Sequence, residues 1–262
     1  LQLFRTMGWK APKYVHTAQL MKMDGGSKRK LSKRKDPELA LDFYNAEGYP
    51  VPSVLEYLMT LLNSNFEDWR LANPTAPMGD FQFTTKKMGN SGSLFDIDKL
   101  KDVSKNTISV MSADQVYDEV TAWAKDFDSQ LYTLLTADEQ KAKAIFAIGR
   151  GGAKPRKDIA IWSEVKDYVA FFYEELFTAA SEYPENVSTQ DALDILTQYR
   201  SLYSPADDGE TWFNKVRELG ESLGFAAKPK DYKKNPDQYK GHVGDVSQVI
   251  RLAITGRTNS PD

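Results

Sequence analysis

"KRKLSKRK", residues 28–35, is basic at every position except Leu31 and Ser32, in a chain that is slightly acidic overall. Before it, "DGGS" reads as a turn. After it, Asp36-Pro37-Glu38 has the order of a helix start: a capping carboxylate, a first-turn proline and an acid near the positive end of the helix dipole. A basic loop in that setting is open to three readings. It is a polybasic address, a solvated surface loop, or a loop shaped to hold phosphate, with Lys30 and Lys33 as point charges on a triphosphate.

Upstream, "LQLFRTMGW" predicts a helix over 1–7, with Leu1, Leu3, Phe4 and Met7 as its apolar positions and Gly8 as its stop. The rough alternation of "KYVHTAQLMKM", 13–23, predicts a strand. Downstream, helix signals dominate. "PELALDFYNAE" (37–47) ends at Gly48, and "VPSVLEYLMTLLN" (51–63) shows a wide apolar face. Residues 70–93, rich in Pro, Gly, Asn and Ser, predict a long loop or insertion. Further helices are predicted over 93–106, over 113–127 capped by Ser112, and over 137–148 opened by a Thr136/Glu139 capping box. The rest follow over 162–177, 189–203, 209–224 and 243–255. Two cationic loops interrupt them, "GRGGAKPRKD" (149–158) and "AAKPKDYKKNPDQYKGH" (226–242). Tyr168, Phe171, Phe172, Tyr173 and Phe177 recur at helical spacing and read as core. Few strand signals follow residue 30, so the expected fold is mainly α with a small α/β remnant at its front.

The 262 residues suffice for one large domain or two to three small ones, and 41% hydrophobic and 12% aromatic residues supply real cores. A net charge of −3 argues against a protein that coats nucleic acid nonspecifically, though local Lys and Arg clusters still bind phosphates. The absence of cysteine removes disulfides, thiol nucleophiles and Cys-ligated zinc. With His16 and His242 the only histidines, a three-His zinc site is impossible, and no metal site is expected. No apolar run approaches the roughly 18 residues of a membrane span. Leu1 falls inside an amphipathic stretch and "TGRTNSPD" stops in a turn, which reads as a piece cut from a longer protein.

Lys-Leu-Ser-Lys-Arg, residues 30–34, resembles the second signature of the class I aminoacyl-tRNA synthetases, in the variant of the glutamyl-tRNA synthetases. "LQLFRTMGWKAPKYVHTAQLM" is similar to that family's segment before the loop, and "FYNAEGYPVPSVLEYLMTLL" to the one after it. "LFDIDKLKDVSKN" resembles a later helix, and "GHVGDVSQVIRLAITGRTNSPD" the C-terminal anticodon-binding stretch of the bacterial enzymes. The segments stand in the family's order across nearly the whole chain. Three features depart: residues 70–93 look inserted, "DVSKNTIS" lacks an aromatic-Asn pattern, and the first signature, of His-Ile-Gly-His type, is absent.

The resemblance implies that residues 1–35 end a Rossmann-type catalytic domain, 36–110 form a stem-contact region, and 111–182 and 183–262 form two helical anticodon-binding domains. It implies a monomeric cytoplasmic ligase that activates glutamate with ATP and Mg2+ and transfers it to tRNA, with the glutamate pocket outside this chain and the piece alone inactive. The loop Lys30, Leu31, Ser32, Lys33 and Arg34 would bind ATP, with Lys33 catalytic against the triphosphate. Arg156 would read the last anticodon base, and Arg251, Ser260 and Pro261 the first two. Lys28, Arg29 and Lys35 read as solvated charge. The alternative is a standalone, non-catalytic tRNA-binding module with a degenerate basic loop.

Overall fold

Asp24 and Ser27 face each other across a two-residue turn, Gly25-Gly26, in which both glycines take positive φ (53° and 85°). Two consecutive left-handed residues twist the chain as an antiparallel pair requires, and glycine adopts them without steric cost. The turn joins β1 (Leu20–Asp24) to β2 (Ser27–Lys30). A third strand, β3 (Ser93–Leu94), lies parallel to β1 on its other side, giving the order β2-β1-β3. The computed structural model describes residues 1–89 and 91–258. The chain divides into two units, Leu1–Val165 and Lys166–Asp262.

In the first unit, α1 (Gln2–Thr6) precedes the hairpin, and α2 (Leu41–Glu47), α3 (Val51–Leu62) and α4 (Phe66–Ala72) follow it. After β3 come α5 (Ile97–Ser109), α6 (Ala113–Phe127), α7 (Ser129–Ala137) and α8 (Glu139–Ala147). Leu31, Tyr49, Tyr57, Phe95, Leu100 and Ile161 form one buried cluster, with Leu20, Phe43 and Val54 packed against it. Within it the Tyr57 hydroxyl accepts the Asp96 N–H at 2.6 Å, so the residue that caps α5 is also tied to α3. The second unit contains α9 (Val165–Val169), which opens at the boundary, α10 (Thr189–Leu202), α11 (Gly209–Ser222), α12 (Pro229–Lys234) and α13 (Val243–Thr255). Ile195, Val216, Phe225, Val246, Val249 and Ile250 are central to its core.

The mainly helical reading with a small sheet agrees with this architecture. Several local expectations do not. The predicted strand over 13–23 shrinks to β1, because a strand needs a ladder partner and residues 13–17 are exposed without one. Residues 28–30 belong to β2, so the basic stretch is a loop only beyond it. The helix expected over 37–47 is a 3-10 turn, Pro37–Leu39, followed by α2. Asp36 makes no side-chain cap there; its carboxylate turns the other way. Ser112 caps α6 in a capping box with Gln115, as expected. Thr136 does not open α8: its hydroxyl donates back to the Tyr132 carbonyl inside α7, and Asp138 caps by accepting from the Lys141 N–H. The predicted helix over 162–177 breaks into a 3-10 turn, α9 and another 3-10 turn, where three consecutive aromatics crowd one turn and lose rotamer freedom. Of its five recurring aromatics only Tyr173 is fully buried.

Beyond the end of α4, residues 73–89 hold only two 3-10 turns, Met78–Asp80 and Thr85–Lys87, but are packed. Phe81 is buried edge-on against Phe66, with ring centroids 5.0 Å apart. Arg70 donates to the carbonyls of Asn73 (2.8 Å) and Ala76 (2.7 Å) while its guanidinium lies 4.9 Å from the Trp69 ring centroid. Ring, fork and carbonyls together hold the start of this stretch, residues 70–81.

Candidate functional site

Beyond β2 the chain first buries Leu31 in the core and then lifts off. The Ser32 carbonyl accepts from the Lys35 N–H (3.0 Å) and the Asp36 N–H (2.8 Å), closing a tight turn. Lys33, Arg34 and Lys35 stand exposed on it; Lys30, at the end of β2, is exposed as well. Ser32 is half-buried, its hydroxyl 3.4 Å from the Arg34 N–H. The five residues singled out as an ATP-binding loop thus have unlike roles: Leu31 is an anchor, Ser32 shapes the turn, and the cations face solvent.

Asp36 was legible only as a helix cap, and Arg29 only as solvated charge. Their side chains meet. Arg29 Nη1 and Nη2 each lie 2.7 Å from an oxygen of the Asp36 carboxylate, which also accepts the Ser32 N–H at 2.7 Å. Arg29 Nε reaches Asp24 at 2.6 Å. The Arg29 fork, reinforced by the Ser32 N–H, holds the Asp36 carboxyl well below the usual carboxylate range. The same contacts, led by Asp36, push the Arg29 guanidinium further up. No periodicity announces such a pair, since it joins a strand to the far side of a turn.

The loop 149–158 lies elsewhere in the first unit. Arg150 is structural: Nε donates to the Phe146 carbonyl and Nη1 to the Ile108 carbonyl, each at 2.6 Å. Arg156 folds back on the loop's start, its N–H donating to the Gly149 carbonyl at 3.0 Å. Gly149 has φ +67°, and a Cβ there would stand 2.4 Å from Arg156 Cδ, so only glycine lets the arginine stem lie across the backbone. Asp158 takes Arg156 Nε at 2.7 Å, orienting a planar group with donors and a stacking face.

Arg251 lies in the second unit on α13, half-buried, with Nη1 3.4 Å from the Thr258 carbonyl. Ser260 and Pro261 lie outside the described residues. Arg156 and Arg251 thus belong to separate units. His242 caps α13, its Nδ1 accepting the Gly244 N–H at 3.0 Å. A cleft of about 640 Å³ in this unit is lined by Lys166, Phe171, Thr178, Ser181, Thr255 and Arg257 among others. Among the described residues no group of three or more His, Asp or Glu side chains could hold a metal ion. No helix among them is long and apolar enough to cross a membrane.

A glutamate–tRNA ligase of Acetivibrio thermocellus is 49% identical to the chain over 261 residues, covering 100% of this chain and 48% of that protein. The chain is homologous to part of the glutamate–tRNA ligases. A second relative of that name, from Clostridium beijerinckii, is 48% identical over 267 residues, again covering 100% of the chain and 48% of the relative. The chain therefore spans about half the length of the curated ligases it matches. A crystal structure of a glutamate tRNA ligase from Elizabethkingia meningosepticum, in complex with its amino acid, shares the fold. Its TM-score is 0.61 at 19% identity, covering 100% of this chain and 49% of that one. No protein-family model matches the chain.

Proposed function

We propose that the chain is the C-terminal, tRNA-binding half of a glutamate–tRNA ligase. The whole protein would join glutamate to ATP as an adenylate and then pass the acyl group to the 3′ end of tRNA in the cytoplasm, as a monomer. The observation that carries this reading is the exposed cationic turn, raised on a buried Leu31 and a buried Asp36, in a chain that aligns with ligases over its full length. Residues 1–35 are proposed as the end of the catalytic domain, 36–110 as the stem-contact region, and 111–182 and 183–262 as the anticodon-binding domains.

When the glutamate carboxylate attacks the α-phosphorus, negative charge builds on the departing pyrophosphate. A cation that meets this charge more closely in the transition state than in bound ATP accelerates the step. Lys33 is assigned that role, with Lys30 and Arg34 assisting and Ser32 shaping the turn. Mg2+ would neutralise phosphate charge when bound with ATP; the described residues offer no ligand set for it, and the chain's own contribution is cationic side chains. Arg156, oriented by Asp158, is assigned to the last anticodon base. Arg251, Ser260 and Pro261 are assigned to the first two. Unstacked RNA bases suit such planar, multi-donor groups.

The test is glutamate-dependent ATP–pyrophosphate exchange and tRNA charging by the full-length protein, with tRNA binding measured alongside. Exchange and charging support the reading. Salt-sensitive tRNA binding without exchange would instead favour a non-catalytic module.

A further inference from the structure

The turn that carries Lys33 is fixed at both ends, by different means. At its start Leu31 is only 3% exposed, and its N–H donates to the Leu20 carbonyl at 3.1 Å. At its finish Asp36 is 2% exposed, and its carboxylate is the hub of the turn. It receives the Ser32 N–H from inside the turn and both guanidinium prongs of Arg29 from β2. Arg29 is held in its own place by Asp24, at the hairpin turn. Lys22 Nζ stands 3.8 Å from the second Asp36 oxygen and also pairs with Glu38. A chain of ionic contacts thus runs from the hairpin turn, through Arg29, to the residue that closes the lysine turn.

Simple charge neutralisation would need only one ammonium group near Asp36, and Lys22 already provides one. A two-pronged guanidinium does something more: two parallel hydrogen bonds fix the plane of the carboxylate as well as its distance. That plane in turn fixes the Ser32 N–H, the three exposed residues 33–35 being closed between them. We propose that Arg29 is a positioning residue, whose fork on Asp36 sets where the turn holds the Lys33 ammonium against the leaving phosphates. The inference rests on the assignment of Lys33 to the triphosphate. Displacement of a reacting or charge-stabilising group by about 1 Å can cost on the order of a hundredfold in rate, so a loosened turn should be visible in turnover.

The decisive variant is Arg29→Lys in the full-length protein, which keeps the positive charge and loses the fork; Arg29→Ala is its more severe companion. Glutamate-dependent ATP–pyrophosphate exchange and limited trypsin cleavage are measured together, because residues 33–35 are three consecutive tryptic sites on the turn. Arg29→Lys is expected to lower kcat by about tenfold to a hundredfold with KM for ATP changed less than about threefold. Trypsin should cut after residues 33–35 faster than in the wild type, with cleavage elsewhere unchanged and the thermal midpoint lowered by no more than about 4 °C. Wild-type kcat in the lysine variant overturns the proposal, whatever the cleavage pattern. A rise in KM alone overturns it too, since that is ground-state binding and not placement in the transition state. Should the wild-type protein show no exchange, the ligase reading fails; unchanged trypsin cleavage in both variants would then also dispose of the clamp.

Discussion

Arg150 Nη1 donates to the carbonyl of Ile108, 42 residues earlier in the chain, at 2.6 Å. With Nε on Phe146 and Nη1 also 3.4 Å from the Met111 carbonyl, one side chain bolts the start of the 149–158 loop to the end of α5. Arg150→Ala should therefore destabilise the first unit by about 1–3 kcal/mol, because it strips charge-assisted bonds from partly buried carbonyls. Chemical denaturation is the check. A loss within about 0.5 kcal/mol, the usual range for a surface substitution, would mean the arginine is replaceable by water.

Arg156 differs from Arg150 in pairing with a carboxylate, its Nε 2.7 Å from Asp158, rather than with backbone carbonyls. Replacement by Ala is expected to cost about 1–3 kcal/mol for cognate tRNA, and the loss should fall on one base. Titrations with tRNAs altered at single anticodon positions resolve this. Equal losses for every tRNA would reassign Arg156 to a phosphate contact.

Lys33→Ala should slow adenylate formation far more than it weakens ATP binding, since the proposed contact is strongest with charge that exists only during the reaction. Pyrophosphate exchange at saturating ATP, beside an equilibrium measurement of ATP affinity, separates the two. An unchanged exchange rate would remove Lys33 from the mechanism.

The Arg29–Asp36 contact also predicts an acid response. A carboxylate whose pKa is depressed by folding stabilises the native state above its unfolded value of about 4, and that contribution fades as pH falls through the folded value. Asp36→Asn should be less stable than the wild type at neutral pH, with the gap narrowing steadily below about pH 4. Unfolding free energies measured across that range decide it; a gap that stays constant into strong acid would contradict the contact.

Tyr57→Phe removes the acceptor of the Asp96 N–H while leaving the ring's packing against Phe95 in place. Loss of this part-buried hydrogen bond is expected to cost about 0.5–1.5 kcal/mol. Thermal or denaturant unfolding tests this, and a neutral result would show that water reaches the site.

The sequence was most legible where one residue's local chemistry settles the matter. The Gly-Gly turn, the Ser112 cap and the helix α3 follow from short-range rules. It was least legible where partners lie far apart in the chain. Asp36 has the sequence surroundings of a cap, and only the folded hairpin offers it Arg29 instead. Arg150 and Arg156 sit six positions apart in one basic loop, yet one donates to the Phe146 and Ile108 carbonyls and the other pairs with Asp158; composition treats them alike. β3 is two residues long and exists only because β1 is there to receive it, so no alternation could announce it.

The order β2-β1-β3 leaves β2 as one of the two outer strands among the described residues. An open strand edge is a template on which another copy can assemble, and consecutive like charges make that approach repulsive. Lys28 and Lys30 are exposed on this strand, while Arg29 is held by Asp24 and Asp36, so the two lysines disfavour pairing along its edge. Variants that neutralise them would invite precipitation, and lost activity in such samples has to be normalised to protein that is still monodisperse.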